Sequence, residues 1–265
     1  MSGGGEYFSL TVDGRALEAA RWGPAGAPEM VLLHEGLGSV GLWRDFPARL
    51  AAATGRAIFA YSRAGYGQSA GITLPRPLSY MHDEARATLP RVLDALAARR
   101  VILLGHSDGA SIAAIHAASA TTEEHEIAGL VLIAPHFFVE DISIASIAAA
   151  REAYENGDLR ARLARYHRDV DAAFRGWNES WLDPGFRAWR IDDLLPAISA
   201  PVLIIQGAAD EYGTMAQISA ARAKLARPPR VVIIPGAGHS PQFSDAEAVI
   251  TAIGDFTATV LAPGA

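Results

Sequence analysis

Residues 102–111 read ILLGHSDGAS: a serine, Ser107, stands between Gly105 and Gly109, directly after the apolar run Val101–Leu104 and before the small-residue run ASIAAIHAAS. With 25 glycines in the chain, Gly-x-Ser-x-Gly arises easily by chance, so the pentapeptide says little without its setting. A strand that ends just before it and a helix that begins just after it make a strained turn. Such a turn lifts the hydroxyl clear of a sheet and aims a helix N-terminus at it. Gly105 and Gly109 then have a physical role, because side chains there would collide where strand and helix cross closely.

Working outward, runs of the same kind recur: MVLLH (30–34), AIFAY (57–61), VILLG (101–105), LVLIA (130–134), VLIIQ (202–206) and VVIIP (231–235). They are apolar on both parities, as strands buried on both faces must be. Candidate helices lie between them at 43–53, 80–99, 109–120, 216–226 and 245–261. This alternation predicts a parallel sheet covered on both sides. The segments YFSLTVDG and RALEAARW flank Asp13-Gly14, a dipeptide suited to a tight hairpin turn, so the sheet opens with an antiparallel pair and totals about eight strands. The rhythm breaks once, between Pro135 and Pro201, where no strand is evident. This insertion holds helical stretches and the rings of Tyr154, Tyr166, Phe174, Trp177, Trp181, Phe186 and Trp189. Such rings either pack the insertion onto the main body or line a pocket beneath it.

Composition excludes several classes. The net charge of -6 opposes adhesion to nucleic acid or anionic lipid. The absence of cysteine removes disulfides, thiolate nucleophiles and Cys-ligated metals. No apolar run approaches the roughly 20 residues of a membrane span, and MSGGGEYFSL lacks the basic and apolar regions of a secretory leader, so a cytoplasmic protein is expected.

A serine hydroxyl is a weak nucleophile until a base takes its proton and a carboxylate orients that base. Of the eight histidines, His239 follows the last strand in the glycine-rich loop IIPGAGHSPQFS, at the sheet edge where open α/β sheets bind ligands. His34, His106 and His136 also lie near strand ends and read as loop or supporting groups; His82, His116, His125 and His167 read as structural. For the carboxylate, QGAADEYG offers Asp210 and Glu211 on the same edge; Asp210 is favoured, with capping of the following turn as its plainer role. The order Ser107, Asp210, His239 matches one known order of this triad. The developing oxyanion needs backbone donors: Asp108 N–H, directly after the nucleophile, and a second from HEGLGS, where Gly36 is favoured and Leu37 is the alternative.

On these motifs (LLHEGLGS, YSRAGYGQS, LLGHSDGAS, QGAADEYG and GAGHSP) the chain resembles the α/β-hydrolase superfamily over essentially its full length. The resemblance implies a mostly parallel eight-stranded sheet flanked by helices, with residues 1–135 and 201–265 as the core and residues 136–200 as a helical cap after the sixth strand. It also implies hydrolysis through an acyl-enzyme without cofactor or metal. Three positions depart from the common pattern. Glu35 stands where many members have glycine, so its carboxylate either points away from the oxyanion or carries a raised pKa. Asp108 puts a carboxylate beside the nucleophile, which disfavours anionic substrates, and Ser62 replaces a structural Asp.

The expected function is hydrolysis of a carboxylic ester of a small, largely apolar molecule, with Leu37, Phe137, Trp177 and Trp181 as substrate-binding residues, in a monomer or homodimer. Lactone opening and carbon–carbon bond hydrolysis on the same triad are alternatives, as is a ligand receptor built on the fold. Haloalkane chemistry is disfavoured because its nucleophile would be Asp. Arg151, Arg160, Arg162, Arg165 and Arg168 read as a solvated helix face.

Overall fold

The computed structural model describes residues 4–119 and 125–262. Strands β1 (Glu6–Val12) and β2 (Arg15–Trp22) form an antiparallel hairpin, with Val12 paired to Arg15. The turn residues Asp13 and Gly14 both have positive φ, 47° and 74°, as the tightest hairpin turn requires, which is why Asp-Gly serves there. Six further strands follow: β3 (Met30–Leu33), β4 (Ile58–Tyr61), β5 (Arg100–His106), β6 (Glu126–Ile133), β7 (Val202–Gly207) and β8 (Arg230–Ile234). The sheet order is β1-β2-β4-β3-β5-β6-β7-β8; β2 joins β4 antiparallel, and every pairing from β4 to β8 is parallel. The protein therefore has the α/β-hydrolase fold.

Side chains alternate across β5 into two apolar layers. Val101 and Leu103 join one face with Leu89, Val92, Ile112 and Ile115. Ile102 and Leu104 join the other with Leu50, Ile253 and Phe256. The helices behind these layers are α1 (Phe46–Thr54), α2 (Tyr80–Asp83), α3 (Leu89–Ala95) and α4 (Asp108–Ser119), with α8 (Met215–Lys224), α9 (Pro241–Ser244) and α10 (Ala246–Val260) after β7. Each fully buried Leu, Ile or Phe contributes about 1.5–3 kcal/mol relative to exposure, so the two layers rather than helix propensity hold the elements in place.

Two helices depart from expectation. The stretch predicted as one helix over 80–99 divides into α2, a π-helical turn at Glu84–Thr88, and α3. Pro90 has no N–H for the regular ladder, and the widened turn absorbs the mismatch. The helix predicted from Trp43 begins at Phe46, because Arg44 has φ 55° and breaks the chain direction.

Between β6 and β7 the chain forms α5 (Asp141–Glu155), α6 (Leu159–Leu163) and α7 (Val170–Leu182), two short 3-10 turns, and one isolated bridge between Phe138 and Arg190. His167 fastens this segment to the main body: its Nδ1 accepts from Gly67 N–H at 3.0 Å and its Nε2 contacts the Leu37 carbonyl at 2.9 Å.

The chain departs from β3 leftward to β4 and rightward to β5. The crevice at the carboxyl ends of β3 and β5 is thus the switch point at which such sheets bind ligands, and Ser107 stands directly after β5.

Candidate active site

Ser107 has φ 54°, a left-handed conformation that costs a non-glycine residue on the order of 1–2 kcal/mol. Close packing enforces it. A Cβ on Gly105 would lie 2.2 Å from the Gly109 carbonyl oxygen, and one on Gly109 would lie 2.0 Å from the Leu33 carbonyl oxygen. Strand, helix and neighbouring strand therefore approach as closely as the two glycines allow. The Ser107 N–H donates to the Ile133 carbonyl at 2.9 Å, which stitches the turn to β6.

Asp210 and His239 meet as expected. The His239 Nδ1 lies 2.9 and 3.0 Å from the two Asp210 oxygens. The Asp210 carboxylate also accepts from Tyr212 N–H at 2.8 Å, Gly213 N–H at 3.2 Å and Gln206 Nε2 at 2.7 Å. Burial pushes its pKa up, but these donors, the imidazole foremost, hold it below the ordinary carboxylate value. Glu211 serves differently, accepting the His239 backbone N–H at 3.0 Å and so holding the histidine loop. The His106 ring ties that loop to the elbow, with its Nε2 2.8 Å from the His239 carbonyl. Asp210 thus takes up Nδ1 of His239. Among the described residues neither Nε2 of His239 nor the Ser107 hydroxyl is hydrogen-bonded to any group, including each other. Catalytic bonds of this kind are commonly long without substrate and tighten when it binds.

The donors proposed for an oxyanion lie at the same crevice. Asp108 opens α4, where the first N–H groups of a helix have no partner within it. Gly36 sits under the Trp177 indole: a Cβ on it would lie 2.2 Å from Trp177 Cδ1 and Nε1. Arg63, which the sequence reading passed over, braces this loop from below. Its guanidinium is buried and donates to the carbonyls of His34 at 2.5 Å and Glu35 at 2.9 Å, while His34 Nε2 accepts from Arg63 N–H at 3.1 Å. Its place in YSRAGYGQS, a charged residue in a glycine-containing loop at the ligand edge, was the available signal.

The Glu35 carboxyl does not carry a raised pKa. Burial pushes it up, but His106, whose Nδ1 is 3.7 Å from Oε2, and Arg63 together bring it below the ordinary value. The Asp108 carboxylate is buried and tied away, accepting from Tyr80 Oη at 2.5 Å and Trp181 Nε1 at 3.2 Å. Burial raises its pKa, and the charges of Arg63 and Arg76 offset only part of that. Ser62 accepts from Val40 N–H at 2.8 Å and donates to Glu18 at 2.6 Å, bridging β2 to the loop after β3.

Of the four residues expected to bind substrate, Trp177 covers Gly36 and Trp181 reaches Asp108. Leu37 is half-buried, with its carbonyl held by His167, and Phe137 is wholly buried in the apolar layer. The arginines expected on a solvated face all have partners: Arg151 donates to Asn178 at 2.8 Å and Arg168 to the Ser69 carbonyl at 2.8 Å, while Arg160 pairs with Asp171 at 2.7 Å, Arg162 with Asp158 at 3.5 Å, and Arg165 donates to the Arg162 carbonyl at 3.3 Å. Among the described residues no group of three or more His, Asp or Glu could hold a metal ion, and no helix is long and apolar enough to cross a membrane.

Comparison with known proteins agrees with this fold. No curated protein matches the sequence. Solved structures do. A membrane phospholipase A superposes with a TM-score of 0.77 at 21% identity, covering 98% of this chain and 88% of its own. The enol-lactonase of Burkholderia xenovorans LB400 does so with 0.70 at 20% identity (94% and 99%), and the proline iminopeptidase of Mycobacterium smegmatis with 0.69 at 18% (96% and 98%). At such identities the likeness is one of fold. The family model described as the alpha/beta hydrolase family matches residues 30–252, most of the chain, and the protein belongs to that family.

Proposed function

We propose that the protein is a serine hydrolase that cleaves a carboxylic ester of a small, largely apolar substrate, with residues 136–200 acting as a cap over the site. The observation that carries this reading is the strained Ser107 turn, φ 54°, on the same sheet edge as the Asp210–His239 pair. Ser107 Oγ attacks the substrate carbonyl carbon while its proton passes to Nε2 of His239. The new oxyanion is held by the N–H groups of Asp108 and Gly36, each worth a few kcal/mol in a dry site. His239 returns the proton to the leaving alkoxide, which departs as the alcohol and leaves the acyl group on Ser107. Water then repeats the cycle: His239 takes its proton, hydroxide adds to the acyl carbon, and the acid leaves as Oγ regains its hydrogen. Asp210 keeps Nδ1 protonated and steadies the imidazolium throughout.

The test is Ser107→Ala assayed on p-nitrophenyl esters of graded chain length, with lactones and amides in the same panel. Turnover should fall by on the order of 10⁵–10⁶, the scale found when a serine hydrolase loses its nucleophile. Undiminished turnover in the variant refutes the reading, and the preferred member of the panel separates ester from lactone.

A further inference from the structure

His136 is left over when the relay is complete. It is buried, it follows β6 beside the elbow, and its ring centroid lies 5.6 Å from that of His239 and 5.2 Å from that of Trp181. Its backbone is fixed from two sides: the Ser111 hydroxyl donates to its carbonyl at 2.6 Å, and Phe137 N–H donates to Gln217 Oε1 at 2.8 Å. The ring is therefore held in position. Yet among the described residues neither ring nitrogen has a hydrogen-bond partner, and Nδ1 is sealed from solvent. Leaving such a group unpaired costs about 1–3 kcal/mol. The other buried histidines, His34, His106, His116, His125 and His167, each engage a backbone carbonyl.

We infer that His136 is a substrate-recognition residue, a neutral imidazole that exchanges a hydrogen bond with an oxygen substituent of the substrate near the scissile carbonyl. The substrate class is then an oxygenated ester, bearing a hydroxyl or keto group, rather than a plain alkyl ester. Neutrality follows from the surroundings: burial, then the charge of His239, push the His136 pKa well down, so Nε2, the nitrogen not sealed away, can donate or accept according to the tautomer. The inference rests on the Ser107–Asp210–His239 reading and narrows its substrate.

The experiment uses matched pairs. p-Nitrophenyl 3-hydroxybutyrate against p-nitrophenyl butyrate probes an oxygen on the acyl side; 2-hydroxyethyl butyrate against ethyl butyrate probes the alcohol side. For each ester the ratio of kcat/KM in wild type to that in His136→Phe cancels intrinsic reactivity. In at least one pair that ratio should be tenfold or more larger for the hydroxylated member, and His136→Gln, which keeps a donor and an acceptor, should recover part of the difference. Equal ratios in both pairs overturn the inference and leave His136 as packing, as does a Phe variant indistinguishable from wild type. Should the Phe variant fail to fold, the same comparison is made with Gln, where equal ratios again overturn it. Ester turnover that survives Ser107→Ala would instead strike the underlying relay, so the two failures are distinguishable.

Discussion

The crevice has two halves, each built on an aspartate, and the two carboxylates are treated in opposite ways. Asp108, on the Ser107 side, is paired with neutral donors, Tyr80 Oη and Trp181 Nε1, and burial drives its pKa up. Asp210, on the His239 side, is paired with an imidazole, the Gln206 amide and two backbone N–H groups, and its pKa goes down despite burial. Neutral donors suit an anchor, since they fix geometry without stabilising a moving charge. An imidazole suits a relay, because the charge it acquires in the reaction is the charge the carboxylate is set to meet. Asp108 also links α2 and α7 to the start of α4, so the segment after β6 is tied to the elbow through one side chain.

Asp210→Asn attacks the relay and should have the largest effect: kcat lower by about 10³–10⁴ in steady-state assays, because the amide stabilises the wrong imidazole tautomer. A loss under tenfold would abolish the distinction between the halves. Gly36→Ala strikes the anchor half by forcing the Trp177 indole aside. A displaced oxyanion donor predicts kcat reduced by about 10²–10³. Smaller again is Tyr80→Phe, which removes one donor from the buried Asp108. Urea denaturation should show a loss of about 1.5–3 kcal/mol, with the thermal midpoint lower by roughly 2–4 °C for each of these.

The subtlest effect is on pH. The folded pKa of Asp108 lies above its unfolded value, so as pH falls from neutral through the folded value the native state takes up this proton first and gains stability. For Asp210 the folded value lies below; its contribution is complete above the unfolded value and is lost as pH falls through the folded one. Urea midpoints followed from about pH 7 to about pH 3 should therefore lose an acid-side gain in Asp108→Asn and an acid-side loss in Asp210→Asn. Identical pH profiles in the two variants would mean the carboxylates are not treated oppositely.

Local chemistry made much of this legible in advance. Asp13-Gly14 announced a hairpin because few dipeptides accept two positive φ values in a row. The doubly apolar runs announced buried parallel strands, and glycines two residues to either side of Ser107 announced a crossing too close for side chains. The break in the 80–99 helix was less legible, since Pro90 can sit in the first turn of a new helix or disrupt an old one, and only its packing decides which.

Sequence alone determined the order of the elements, the strained turn, and the pair of loops in which Asp210 and His239 meet, because each is set by residues within a few positions of one another or by the alternation of strand and helix. Tertiary structure alone decided which carboxylate the imidazole faces, that Arg63 braces the Gly36 loop, and that Tyr80 and Trp181 converge on Asp108. It also decided that, among the described residues, the His136 ring is left without a hydrogen-bond partner beside His239. These contacts join residues tens of positions apart. Hydrogen bonds of that range leave no periodicity in a chain; they exist only once the sheet has brought its loops to one edge.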